Sequence, residues 1–428
     1  LFPKVEMREA IMRDGAQVGR VSGAVVAILV GIAGAQGCSS GGGAAEFGGP
    51  QGGGAGQLPP TQPGPAGGTA GTGAGTSGAG GPAASADIGG CAPIALPAGI
   101  TLNGIWIGPS GEVWVAGSGG IVGRRMPDAA GGAWAWCQPG SSSTLRSIWG
   151  GAADNVWAVG DAATILHWNG GAWTTVTDVG SPAVGNLSDV WGEASTLTLP
   201  HPVWIVGAGG AVRSFDGFVW HVADAPAQYS LGGVWGSPSG VLRVAGSGPL
   251  PPVAGVRSAE AVVLRLDADG SWAREASFPQ DHGAAGFGRI SGASDTNIWA
   301  GGLRNPSGAA ASFALAAHFD GTTWSLQAGL GTPLAPEDII LGRSFPDVAV
   351  SPPDAPSSAW FTDGSFEQRP AVRFDGTTWT APDPVASGLV AIDVRGGAMW
   401  AAGFNGKVVR WTPTGWVVSI PALPAPPQ

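Results

Sequence analysis

The chain has 428 residues, of which only 12% are charged and 44% hydrophobic, and it carries 20 Trp against one Tyr. Its formal charge of −10 is thinly spread, with Lys4 and Lys407 as the only lysines, so the clustered cations needed to neutralise phosphates are missing and nucleic-acid binding is disfavoured. Gly and Pro number 76 and 36, a level that flags a low-complexity segment.

Residues 1–37 read as a signal peptide. Arg8, Arg13 and Arg20 precede the uncharged stretch VSGAVVAILVGIAGA (21–35), which leads into QGC, giving a positive flank, a short apolar core and small residues at its end. The core is too short and too Gly-rich for a membrane-spanning helix. Leu1 points to a start at Met7 or Met12. AQGC (35–38) resembles a bacterial lipobox, which implies lipidation of Cys38 and anchoring in the cell envelope; Ala35 and Gln36 depart from the usual pattern. Cleavage after Ala35, giving a secreted soluble protein, and an uncleaved anchor are the alternatives.

A flexible tether is expected over 38–90. Residues 39–90 hold 20 Gly and 6 Pro, with Phe47 as the one aromatic residue and Glu46 and Asp87 as the only charges. Such a segment buries too little apolar surface to offset the entropy of ordering it. Its root-mean-square span would be about 40 Å.

From residue 91 to 424 three short signatures alternate, and residues 425–428 form a tail. A turn followed by Trp occurs as GGAW (131–134), WNGGAW (168–173), FDGFVW (215–220), DADGSW (267–272), FDGTTW (319–324 and 374–379) and TPTGW (412–416). Upstream of each lies an apolar run of the type NVWAVG (155–160), and upstream of that a run of the type LRSIWGG (145–151). The third signature fades in FGRISGA (287–293), FPDVAVS (345–351) and LVAIDVR (389–395). Four short strands in each of seven units predict an all-β, seven-bladed β-propeller, closing with its own outer strand. The apolar runs barely alternate, as expected of strands covered on both faces. Each buried Trp would remove about 150–250 Å² from water.

The Asp-Gly-x-x-Trp element resembles the Asp-box of BNR-type propellers. Asp216, Asp320 and Asp375 match its Asp, Gly217, Gly321 and Gly376 its Gly, and Trp220, Trp324 and Trp379 its Trp, while the leading Ser or Thr is missing from most copies. The resemblance implies structural turns, not a metal site. The repeats are also similar to those of photosystem assembly-factor propellers and of exported bacterial propellers. Both resemblances speak to fold alone.

Chemistry is sparse. A sialidase would need a nucleophilic Tyr and an Arg-Ile-Pro motif; the only Tyr is Tyr229, and Arg289-Ile290 is followed by Ser291. His167 and His318 occupy one repeat position, shared with Arg373 and Arg410, so they are spread around the axis and are expected to serve the adjacent turn. His201, His221 and His282 show no ligand spacing. No catalytic residue, metal or cofactor is predicted. In an exported protein Cys91 and Cys137 would pair.

Three repeats swell between their second and third strands, at 247–260, 303–313 and 364–370. Those loops and the connections between repeats open on one face, which marks it as the binding face; Arg257, Arg304, Phe366, Glu367 and Arg369 are its candidate contacts. The expected function is a non-enzymatic envelope lipoprotein whose propeller binds or scaffolds a protein or glycan, touching the membrane only through its lipid. A glycan-active hydrolase or lyase, or an assembly factor holding a client protein, are the alternatives.

Overall fold

In the computed structural model the chain divides into residues 1–77 and 78–428. The structure describes residues 88, 90–127, 132–193, 202–249, 259–279, 283–306, 313–327, 344–350, 358–364, 370–381 and 383–421. The segment expected to be a signal peptide, Cys38 and the expected tether as far as residue 87 lie outside the described residues.

Strands follow one another as antiparallel meanders of four. The first comprises β1 (Leu102–Ile107), β2 (Val113–Gly117), β3 (Val122–Arg125) and β4 (Trp134–Cys137). Next come β5 (Leu145–Ala152), β6 (Asn155–Gly160), β7 (Ile165–Trp168) and β8 (Trp173–Thr175), then β9 (Leu187–Gly192), β10 (Val203–Gly207), β11 (Val212–Phe215) and β12 (Trp220–Val222). β13 (Ser230–Gly236), β14 (Leu242–Pro249), β15 (Ala259–Leu266) and β16 (Trp272–Phe278) share an eight-stranded sheet with β17 (Gly283–Ser294), β18 (Asn297–Pro306), β19 (Phe313–Phe319) and β20 (Trp324–Leu326). Among the described residues one parallel bridge, Ala259 to Ala284, joins those two meanders. β21 (Val348–Val350), β22 (Ala359–Phe361), β23 (Val372–Phe374) and β24 (Trp379–Thr380) form the next sheet, and β25 (Leu389–Arg395), β26 (Ala398–Gly403), β27 (Val408–Thr412) and β28 (Gly415–Ile420) the last.

The first strand of each meander faces a common axis, and side chains link these strands in sequence around it. Asn103 Nδ2 donates to Leu145 O, Ser147 Oγ to Asp189 Oδ1, and Val234 N to Asp189 Oδ2. Ile392 N donates to Asp347 Oδ2, and Ile107 N to Asp393 Oδ2, which brings the last sheet against the first. The core lies between sheets, so β2 is buried along its whole length. Indoles on the inner strands stand over glycines of the following strand. A Cβ on Gly150, Gly192, Gly236 or Gly292 would come within 2.7 Å of the ring of Trp106, Trp149, Trp191 or Trp235.

The Asp-Gly turns work differently from a two-residue hairpin with both residues at positive φ. Only the glycine is left-handed, at φ 96° for Gly217, 97° for Gly321 and 101° for Gly376. The Asp instead folds its carboxylate back over the turn. Asp320 Oδ1 accepts from Thr322 N and Thr323 N, each at 2.8 Å, and Asp216 and Asp375 repeat the pattern. These bonds hold the Asp320 and Asp375 carboxyls well below the usual range, and a bond from His221 followed by the backbone bonds lowers Asp216 to about 2.

His167 and His318 serve the neighbouring strand, not that turn. Asn155 Oδ1 accepts from Trp157 Nε1 at 2.8 Å and from His167 Nε2 at 2.9 Å, while the imidazole stacks on Trp157 at 4.0 Å. Asn297, Trp299 and His318 repeat the arrangement. Burial lowers both imidazoles' pKa, so they sit there neutral, donating from Nε2.

Ahead of β1 the chain forms a strap across the rim of the first sheet. Ile88, placed in the tether by composition, is buried among Trp114, Trp168 and their neighbours. Gly90 (φ 62°) lies over Ala172, Cys91 is bonded to Cys137, and Ile94 N donates to Trp136 O. Leu96 then covers Gly406, whose N–H donates to Ile100 O. The strap therefore touches the second, first and last sheets in turn.

Candidate functional site

Among the described residues the inner strands β1, β5, β13, β17 and β25 each skip one residue of the ladder, at Asn103, Arg146, Gly232, Gly288 and Val390, and β9 skips Ser188 opposite Val206 and Gly207. A bulge leaves its extra residue out of the ladder. At Arg146, Ser188, Gly232 and Gly288 the freed carbonyls converge on the axis, and the Arg289 guanidinium collects them. Nη1 donates to Ser188 O (2.8 Å), Gly232 O (2.9 Å) and Gly288 O (3.4 Å), and Nη2 to Arg146 O (2.9 Å). Nε lies 3.6 Å from Asp189 Oδ1 and 3.8 Å from Asp347 Oδ1. One side chain thus plugs the axis.

Beneath the plug lies a cavity of about 440 Å³. Its deep wall holds Ser147, Asp189, Asp347 and Asp393; Trp149, Trp191, Glu193, Pro238 and Arg395 line it toward the turns that join first and second strands. It therefore opens at the end opposite the swollen loops. Burial pushes the Asp347 carboxyl up to about 7 despite Arg289, and the neighbouring Asp189 charge adds to the effect. Burial also raises Asp393. Among the described residues no three His, Cys, Asp or Glu side chains come together as a metal would require. Asp189, Asp347 and Asp393 instead cap inward-facing amides of the following strand.

The expected binding face is only partly described. Arg257, Phe366, Glu367 and Arg369 lie outside the described residues. Arg304 is on strand β18, paired with Phe313, with its guanidinium 5.3 Å from that ring's centre. Segments read from sequence as loop are strand here: β14 and β15 pair out to Pro249 and Ala259, and β17 and β18 out to Gly283 and Pro306. These long hairpins flank a largely apolar hollow of about 320 Å³, lined by Ser247, Ala285, Phe287, Leu303 and Phe345 among others. Sequence reasoning passed over Asp189, Asp347 and the plug role of Arg289. Aligning the third residue of the first-strand signatures exposes them, since Gly104, Ser147, Asp189, Gly233, Arg289, Asp347 and Ala391 occupy one place.

No family model and no curated protein matches the chain. Among solved structures it is similar to "YCF48 bound to D1 peptide", at 16% identity and TM-score 0.51, covering 76% of this chain and 98% of that one. It is also similar to U3-55K (11%, TM-score 0.51, covering 71% and 89%) and to the RRP9 WD40 repeats (10%, TM-score 0.50, covering 71% and 88%). With the sheet order above, these likenesses show a β-propeller-like fold.

Proposed function

We propose that the chain is a non-enzymatic envelope lipoprotein, anchored through Cys38, whose seven-bladed propeller binds a segment of another protein at the end carrying the long hairpins. The observation that carries this reading is the apolar hollow of about 320 Å³ between them. Its lining of small residues, Leu303 and the phenyl groups of Phe287 and Phe345 suits apolar side chains of a partner chain. The YCF48 structure, which contains a peptide, supports a protein partner over a glycan. Assembly of a client protein is one form this binding would take. The anchor reading rests on the Arg-flanked apolar stretch and the lipobox-like AQGC, with BNR-like turns as part of the same exported-propeller picture.

A glycan hydrolase is the second reading, because Asp189 and Asp347 face one cavity and Asp347 titrates at about 7. Two carboxyls straddling a glycosidic bond are that chemistry. Arg289 occupies the space between them, and both accept backbone amides, so binding is the stronger reading.

The test is capture of the tagged chain from detergent-solubilised envelopes, beside a form with 247–260, 303–313 and 364–370 shortened. A discrete protein lost with the shortened loops supports the proposal. Polysaccharide alone, or no difference from background, contradicts it. Mass analysis of the N-terminal peptide tests the acylated Cys38 separately.

A further inference from the structure

One repeat breaks the pattern of its second strand. Trp114, Trp157, Trp204, Trp299, Trp360 and Trp400 occupy the third position of the NVWAVG-type runs, and Arg243 stands there in VLRVAG. Where the indole is missing, a cleft of about 640 Å³ lies between the β13–β16 and β17–β20 meanders. That volume is within the roughly 300–1,000 Å³ of small-molecule sites.

The cleft is built around Glu275. Arg243 donates to it through Nε (2.7 Å) and Nη2 (2.9 Å), and Trp324 Nε1 donates to the same carboxylate at 2.9 Å. Arg265, directly across the ladder from Arg243, has Nη1 3.9 Å from Glu275 and Nη2 2.8 Å from Asp267. On the facing wall Asp295 accepts from Ser239 Oγ at 2.6 Å. Phe319 lies under Arg243, and the half-buried Trp324 packs against Phe319 at 5.4 Å.

Two guanidiniums opposite each other would repel; here carboxylates neutralise them. Neither arginine is left without a counter-ion, and the further carboxylate of Asp295 opposes an anionic ligand. What remains is a set of polar groups held by their partners, each with capacity for further hydrogen bonds, beside an indole. Planar apolar surface next to fixed donors and acceptors suits a neutral polyhydroxylated ring, whose C–H face lies on the aromatic while its hydroxyls bridge the charged groups. We propose that this cleft binds a neutral sugar ring. The cleft opens at the end carrying Ser239, Asp295 and the Asp320 turn, away from the hairpin hollow, so this site is independent of the protein-binding reading.

The test is calorimetric titration of the whole chain with glucose, galactose, N-acetylglucosamine and their β-1,4-linked disaccharides, with glucuronate and glucosamine as charged counterparts. A saturable heat is expected with at least one neutral sugar. Arg265→Ala, which leaves the Arg243–Glu275 pair in place, should weaken that binding about tenfold, the loss of one hydrogen bond to a charged group. The double change Arg243→Trp with Glu275→Val installs the indole of the other repeats and should abolish binding while unfolding remains cooperative. No saturable heat with any neutral sugar, preference for a charged one, or unchanged affinity in Arg265→Ala would each overturn the assignment.

Discussion

Removing the Cys91–Cys137 bond should loosen the rim of the first sheet and cost the folded body a calculable amount. The bond closes a loop of 46 residues, and the chain-entropy model assigns such a loop about 13 cal/mol/K, or about 4 kcal/mol at 25 °C. The bonded strap also carries Ile88 into the core shared by the first two sheets, donates Ile94 N–H to Trp136 O, and places Leu96 over Gly406 of the last sheet. Loss of the tie therefore acts on both seams of the first sheet. The assay is guanidinium unfolding followed by tryptophan fluorescence, comparing the oxidised chain, the same chain with a dithiol reductant, and Cys91→Ala/Cys137→Ala. Reduction removes no side-chain atoms, so it isolates the covalent tie. A fall of about 2–4 kcal/mol is expected in both altered forms. Hydrogen exchange should rise first in β1–β8 and β25–β28. A loss below about 0.5 kcal/mol, or exchange rising equally in β13–β20, would refute the reasoning.

Other perturbations probe the axis and the turns. Arg289→Met strands two carboxylates and four carbonyls on the axis and should cost about 3–5 kcal/mol in denaturant unfolding, as removing one partner of a buried ion pair does. Asp347 titrates at about 7 when folded, above its ordinary value near 4. Its contribution to stability is therefore full below about pH 4 and is lost as pH rises through 7. Asp347→Asn should flatten that part of the stability-versus-pH curve. Gly150→Ala places a Cβ 2.6 Å from the Trp106 ring and should cost about 1–3 kcal/mol in thermal unfolding. Gly321→Ala forces a side chain into φ 97° and against Thr296, and should cost at least about 1 kcal/mol.

What the sequence made legible follows from which interactions are local. A turn needing positive φ demands Gly, an Asp carboxylate can reach only the amides two and three residues on, and Trp is too large to be placed casually. The FDGTTW copies, the NVWAVG runs and their order were therefore readable. Cys91 and Cys137 were readable because no other thiols compete within the repeats. The plug was not, because Arg289 binds backbone carbonyls that only a bulge exposes, on strands from 57 to 143 residues away for all but its own neighbour. The long hairpins read as loops because Pro249 and Pro306 end them and small residues fill them; pairing across to Ala259 and Gly283 is what makes them strand. Ile88 looked like tether because its partners, Trp114 and Trp168, lie in two later sheets.

The central claim, that a protein partner docks at the hairpin end and not over the axial cavity, is tested most directly by photo-crosslinking in intact cells. A photoreactive side chain at the exposed Asn305, beside the hollow, is compared with one at the exposed Pro238, on the rim of the axial cavity. A discrete protein adduct from position 305 and none from 238 is the expected result. Adducts from 238 alone would contradict the account, as would no adduct from 305 in cells where the chain is folded and anchored.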